Sequence, residues 1–153
     1  MKLKFLSILT LGVLMSSCGG DKAKQDVASP VKEEVKTEPI MIDPMKDKGV
    51  GKIKSLTLGD IDDAMVAEGE AVFKAKCTAC HKISKRFVGP GLKGVTERRT
   101  SEWIMNMILD PELMVIENAA AKQLLAEYSA PMANQSLTEE EARAILEYLR
   151  TKN

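Results

Sequence analysis

Histidine is nearly absent: His81 stands alone in 153 residues, with one Trp, two Tyr and three Phe. A single His excludes any centre ligated by two imidazoles. Aromatics at 4% imply a thin core, one that a group other than a side chain would help to fill. Charge of one sign is lacking as well, since 22 basic residues face 22 acidic ones, and a nucleic-acid binder usually carries a marked basic excess. A hydrophobic share of 44% over this length excludes a collagen, a multi-span membrane protein and a wholly disordered chain. Internal repeats are missing, and outside the weakly patterned stretch over residues 50–61 no segment shows the turn-bounded alternation of a β-strand.

The apolar run Phe5–Met15 falls short of the roughly 20 residues a bilayer span requires. Preceded by Lys2 and Lys4 and followed by Ser16-Ser17, it reads as a secretory signal over residues 1–17. Leu14-Met15-Ser16-Ser17-Cys18 resembles the lipobox of bacterial lipoproteins, with Met15 where Leu is usual. The resemblance implies a lipidated Cys18 as the mature N-terminus, anchored stably by several acyl chains. Cleavage removes Lys2 and Lys4, leaving 20 basic and 22 acidic side chains. Residues 18–48 are polar, rich in Lys and Glu, free of aromatics and interrupted by Pro30, Pro39 and Pro44. Such a segment cannot bury enough apolar surface to fold. It reads as a tether with a reach of about 30 Å for its 30-odd residues.

From residue 49 a folded domain is expected. Val50, Ile53, Leu56, Leu58 and Ile61 suggest an arm lying on it. Asp60 or Asp62 can cap a first helix carrying Met65, Gly69, Val72 and Phe73 on one face. A second helix runs from Thr100 through Trp103, Ile104, Met107 and Ile108 and stops at Asp110-Pro111. A third covers roughly Asn118–Tyr128. The last opens on the capping box Thr138-Glu139-Glu140-Glu141 and carries Ala142, Ile145, Leu146 and Leu149 as its apolar stripe. The domain reads as all-α.

Cys77-Thr78-Ala79-Cys80-His81 is a C-x-x-C-H sequence, the attachment signature of c-type haem. Two thiols three residues apart can each add to one porphyrin vinyl group, and the adjacent His is then held under the iron. A structural zinc site wants four ligands and the motif offers three. A thioredoxin-type dithiol wants a βαβ surround.

From Asp62 to Lys152 the chain resembles a monohaem class I cytochrome c. Gly69 and Phe73, with Ile145 and Tyr148, match the pairs that meet where the first and last helices cross in that family. Gly in mid-helix costs about 1 kcal/mol against Ala, so a close approach is needed to offset it. Val88-Gly89-Pro90-Gly91-Leu92 resembles the loop whose Pro carbonyl accepts a hydrogen bond from the proximal imidazole, which assigns that role to Pro90 and His81. The family also offers Trp103 as a donor to a haem propionate, against the plainer role of a core Trp; Arg98 and Arg99 are further propionate candidates. The fold implied is the small cytochrome c fold, helices packed around one covalently attached haem.

Nine Met could supply a sixth ligand. Met1 and Met15 leave with the signal, Met41 and Met45 fall in the tether, and Met65, Met105 and Met107 fall in helices. Met114 and Met132 lie in loops or at their margins. Met132, just ahead of the last helix, matches the family's axial Met; Met114 is the alternative. His/Met ligation would fill both axial positions and raise the potential. The function expected is a single-electron carrier on the periplasmic side of a bacterial membrane. It would link a quinol-oxidising donor to a terminal oxidase or reductase. Residues 103–150 look similar to cytochromes that accompany nitrous oxide reductase. A five-coordinate haem enzyme or gas sensor, and an assembly lipoprotein with incidental haem, are the competing readings. Eight basic residues lie between Lys74 and Arg99 against Glu97 alone, while nine acidic residues lie between Glu102 and Glu147. That segregation suggests a positive rim steering toward an acidic partner.

Overall fold

The computed structural model describes residues 43–153. The expected signal, Cys18 and the tether up to residue 42 lie outside the described residues. Among the described residues six helices follow in chain order: α1 Asp63–Lys76, α2 Val95–Arg98, α3 Ser101–Leu109, α4 Pro111–Glu117, α5 Ala119–Tyr128 and α6 Glu139–Arg150. No strand occurs among the described residues.

Local chemistry sets the helix starts. Asp62, not Asp60, caps α1, its carboxylate accepting from the N–H groups of Ala64 and Met65. Thr100 and Asn118 cap α3 and α5 through the amides of Trp103 and Ala121. At α6 both halves of the capping box form: Glu141 N–H donates to Thr138 Oγ1 and Thr138 N–H donates to Glu141 Oε2. Two short helices were not expected. Asp110-Pro111 ends α3 and also starts α4, because the Asp110 carboxylate accepts from Leu113 N–H and Pro111 occupies the first turn, where its missing N–H costs nothing. Met114 is therefore a helix residue and not, as expected, a loop residue.

α1 and α6 cross at Gly69. A Cβ there would lie 1.9 Å from the Ala144 carbonyl oxygen, so only hydrogen fits between the two backbones. Phe73 and Tyr148 meet beside the crossing as a tilted pair, with ring centroids 5.4 Å apart and planes at 41°. Ile145, Leu146 and Leu149 of α6 join Trp103, Ile104 and Ile108 of α3 in the core.

The segment before α1 is a packed arm without regular structure. Asn106 on α3 holds its middle: Nδ2 donates to the carbonyls of Lys48 and Ile53, and Oδ1 accepts from Ile53 N–H. Met114 Sδ accepts from Val50 N–H at 3.1 Å. Gly49 takes φ 70° to pass over Met114, whose Sδ would meet a Cβ at 2.9 Å. The arm begins earlier than expected, for Asp47 is buried and its carbonyl accepts from Thr100 Oγ1 at 2.6 Å. Asp47 and Lys48 are thus held against the helices, Lys48 through its carbonyl on Asn106 Nδ2. Ile61, expected on the arm's packed side, is exposed.

Candidate cofactor site

The C-terminus of α1 delivers the C-x-x-C-H motif. Cys77 closes the helix through its N–H to Phe73 O, and the chain turns at once: the N–H groups of Cys80 and His81 both donate to Cys77 O. This fold-back brings the two thiols and the imidazole together at one helix end, both cysteines being free thiols. Burial, joined by the field of Cys80, pushes the Cys77 thiol up to about 11.

Residues 88–93 run against the motif, with Gly89 N–H donating to Cys80 O, Leu92 N–H to Lys82 O and Lys93 N–H to Ile83 O. The pairing puts Pro90 O at 3.1 Å from His81 Nδ1. A carbonyl oxygen only accepts, so Nδ1 carries the hydrogen, and Nε2 is the ring nitrogen whose lone pair a neutral His81 would offer. Gly89 lies flat against the ring: a Cβ on it would sit 2.5 Å from His81 Cε1.

These groups open onto a cavity of about 630 Å³. Cys77, Cys80 and His81 line it, together with Pro90, Trp103 and Met132. Most of the remaining wall is apolar, from Phe73 and Ile145 at the helix crossing to Leu124 and Leu125 of α5. Met132 arrives on the segment between α5 and α6, which is bracketed by Ser129 and Ser136, both in left-handed backbone at φ 52° and 54°. Met107 and, from the arm, Met45 also reach the wall, two thioethers the sequence had assigned to a helix and to the tether. Met114 does not line the cavity; it is fully buried, with its sulfur turned to Val50.

Trp103 lines the cavity, and its indole Nε1–H donates to Asn118 Oδ1 at 3.1 Å. Arg99 lies over the Trp103 ring at 4.9 Å, and Arg98 donates to the carbonyls of Lys93 and Gly91. The sequence marks Asn118 only as a helix start. Nothing in the sequence signals its second partner, Asp47, which lies 71 residues away.

A planar, largely apolar group bearing two vinyl carbons fits this site: two free thiols stand at its wall, an imidazole offers a lone pair, and the missing Gly89 side chain makes room for the ring. The model of the family described as "Cytochrome c" matches residues 66–153, more than half of the chain. The chain belongs to the cytochrome c family. It is 32% identical over 101 residues to cytochrome c-551 of Stutzerimonas stutzeri, covering 63% of this chain and 91% of that protein. Identity to cytochrome c-551 of Ectopseudomonas mendocina is 33% over 87 residues, 56% of this chain and 98% of the relative. Among solved structures, cytochrome c from Rhodothermus marinus shares 47% identity at a TM-score of 0.65, covering 66% of this chain and 88% of its own. An engineered form of that protein bound to a carbene intermediate gives a TM-score of 0.62 at 47% identity, with coverage of 66% and 88%. This chain is a monohaem class I c-type cytochrome, with Cys77 and Cys80 as the covalent attachment pair for haem c.

Proposed function

We propose that this cytochrome is a membrane-tethered periplasmic carrier of single electrons, with His81 and Met132 as the axial ligands of its haem. The observation that carries the ligation is the makeup of one cavity wall set: His81 with a fixed tautomer, and Met132 on the segment just before α6. Haem bound there supplies a ferric/ferrous couple. The chain's own residues do the rest. The Pro90 carbonyl orients the imidazole and strengthens it as a donor. The soft Met132 thioether favours the ferrous state and raises the potential. Were His81 and Met132 both to hold the iron, no coordination site would be left for a substrate, as a carrier requires and an enzyme or gas sensor does not. In the same reading, Gly69 and Phe73 hold the cavity closed from behind through the α1–α6 crossing.

The tether is assigned to the stretch from a lipidated Cys18 to the start of the packed arm, after a cleaved signal over residues 1–17. Among the described residues no helix is long and apolar enough to cross a membrane. The partners are redox proteins: a quinol-oxidising donor and a terminal oxidase or reductase, nitrous oxide reductase being one candidate. Docking is assigned to the face beside Cys80, where Phe87 and Val88 are 52% and 43% exposed. Lys82 lies over the Phe87 ring at 4.9 Å, and Lys76, Lys82, Lys85 and Lys93 have no acidic partners among the described ion pairs, whereas Lys74 and Arg86 are paired to Glu70 and Glu127. A small apolar patch in a stretch of chain rich in cations without acidic partners suits brief contact with an acidic protein.

Stopped-flow electron exchange with an acidic redox protein tests this reading. A reversible one-electron reaction is expected, slowing about tenfold or more as ionic strength rises from about 10 mM to about 500 mM. A salt-independent rate would remove the docking assignment. Steady turnover of peroxide, or a ferrous form that binds carbon monoxide at once, would favour the enzyme or sensor.

A further inference from the structure

A buried carboxylate stands one hydrogen-bonded link behind the only tryptophan. Asp47 and Asn118 retain 9% and 6% of their exposure and Trp103 5%. The chain of contacts is continuous: Trp103 Nε1–H donates to Asn118 Oδ1 at 3.1 Å, and Asn118 Nδ2 donates to both Asp47 oxygens at 2.9 Å. Asp47 Oδ1 also accepts from Gly49 N–H at 2.8 Å, and Asn118 Oδ1 accepts from Ala121 N–H at 2.9 Å. None of the described ion pairs includes Asp47. A largely buried carboxylate held by amide donors, with no cation in salt-bridge contact, keeps part of its field, the Arg99 guanidinium standing further along the relay over the Trp103 ring. The arm that carries Asp47 also supplies Pro44 and Met45 to the cavity wall.

We propose that Asp47 and Asn118 are positioning residues for Trp103 on the haem cavity, and that the Asp47 carboxylate is the charge by which the N-terminal arm lowers the reduction potential. Asn118 has one carbonyl oxygen and one amide group, and the relay uses both. Its Oδ1 fixes the indole while its Nδ2 is fixed by Asp47, so the ring's tilt in the wall depends on an arm residue. A negative charge on this relay favours the more positive, ferric cofactor. The inference rests on the cavity being the haem seat and is independent of Met132 as ligand, because the far-red sulfur-to-iron band reports that ligation separately.

Asp47→Asn is the test, since it removes the charge while keeping size and an acceptor for Asn118. Spectroelectrochemistry should show a more positive midpoint, read at the wild-type midpoint as a roughly threefold or larger rise in the ferrous-to-ferric ratio, the order expected for a unit charge acting through a partly buried protein medium. Ultraviolet resonance Raman of the single indole should show a weaker N–H hydrogen bond. Asp47→Glu, which restores the charge, should return the ratio toward wild type. A ratio and an indole band both unmoved in Asp47→Asn would reduce the relay to a structural anchor and overturn the proposal. So would a potential that moves only when the far-red band is lost. If Asp47→Asn takes up no haem, proton NMR of the wild type decides. A cross-peak between the Trp103 indole N–H and Asn118 or Ala121 upholds the relay, and its absence overturns it.

Discussion

Gly69→Ala is expected to lower stability by about 3 kcal/mol, near the upper end for overpacking a core, because the new methyl meets backbone and not a movable side chain. The obstructing atoms are the Ala144 carbonyl oxygen and carbon, at 1.9 and 2.4 Å from the ideal Cβ position. Trimming Ala144 to Gly offers no relief, since its carbonyl stays. The helices must part, and the Phe73–Tyr148 contact and the apolar back of the cavity part with them. Helix propensity alone would make Gly→Ala stabilising by about 1 kcal/mol, so the sign of the effect separates the two accounts. Denaturant unfolding of the holoprotein measures it, with exposed Ala71→Gly on the same helix as a control expected to cost no more than about 1 kcal/mol.

Loss of Glu147 should be comparably severe. Its side chain on α6 is fully buried between two cations, with Oε2 accepting from Arg143 and Oε1 from Arg150 at 2.6 Å. Asp62 N–H donates to Oε1 as well, tying α6 to the start of α1. Burial alone would push the carboxyl up; the hydrogen bonds from Arg143, Arg150 and the Asp62 amide outweigh it and hold the group below its ordinary 4.5. Glu147→Ala leaves both guanidinium groups without their anion, at an expected cost of about 3 kcal/mol, moderated because each keeps some contact with water. The pH dependence has a fixed sign. A carboxyl lowered in the folded state adds stability that is complete above its unfolded value and is lost as pH falls through the folded one. Thermal melts should therefore lose stability below about pH 4.5, and Glu147→Gln should flatten that part of the curve. A variant whose stability falls with acid as steeply as wild type would show that another group is responsible.

The parts of this fold that were legible in the sequence are those whose causes lie within a few residues. Thr138 and Glu141 meet across three positions, so the start of α6 could be read directly. The C-x-x-C-H turn is equally local, because the two thiols and the ring are collected by bonds to a single carbonyl, that of Cys77. Asp110-Pro111 misled in one respect. The same pair that stops one helix is a good cap and first turn for the next, and periodicity offered only the stop. The arm was legible as apolar but not as anchored, since Asn106 and Asn118 act on it over more than 50 residues of sequence. Trp103 marks the boundary most clearly. Its place at the cofactor was expected from family likeness, yet the acceptor of its N–H depended on a carboxylate in a segment whose composition read as tether.

The reading of this cytochrome as a closed, electron-carrying centre turns on the sixth ligand, so the decisive measurement is the absorption spectrum of the holoprotein, oxidised and reduced, for wild type and Met132→Ala. A low-spin wild type with a far-red sulfur-to-iron band that vanishes in the variant is the predicted result. A band that survives Met132→Ala would hand the ligand role to another thioether, Met107 and Met45 being the others at the cavity wall. A high-spin wild type that readily binds carbon monoxide would contradict the account, leaving an open iron and the chemistry of an enzyme or sensor.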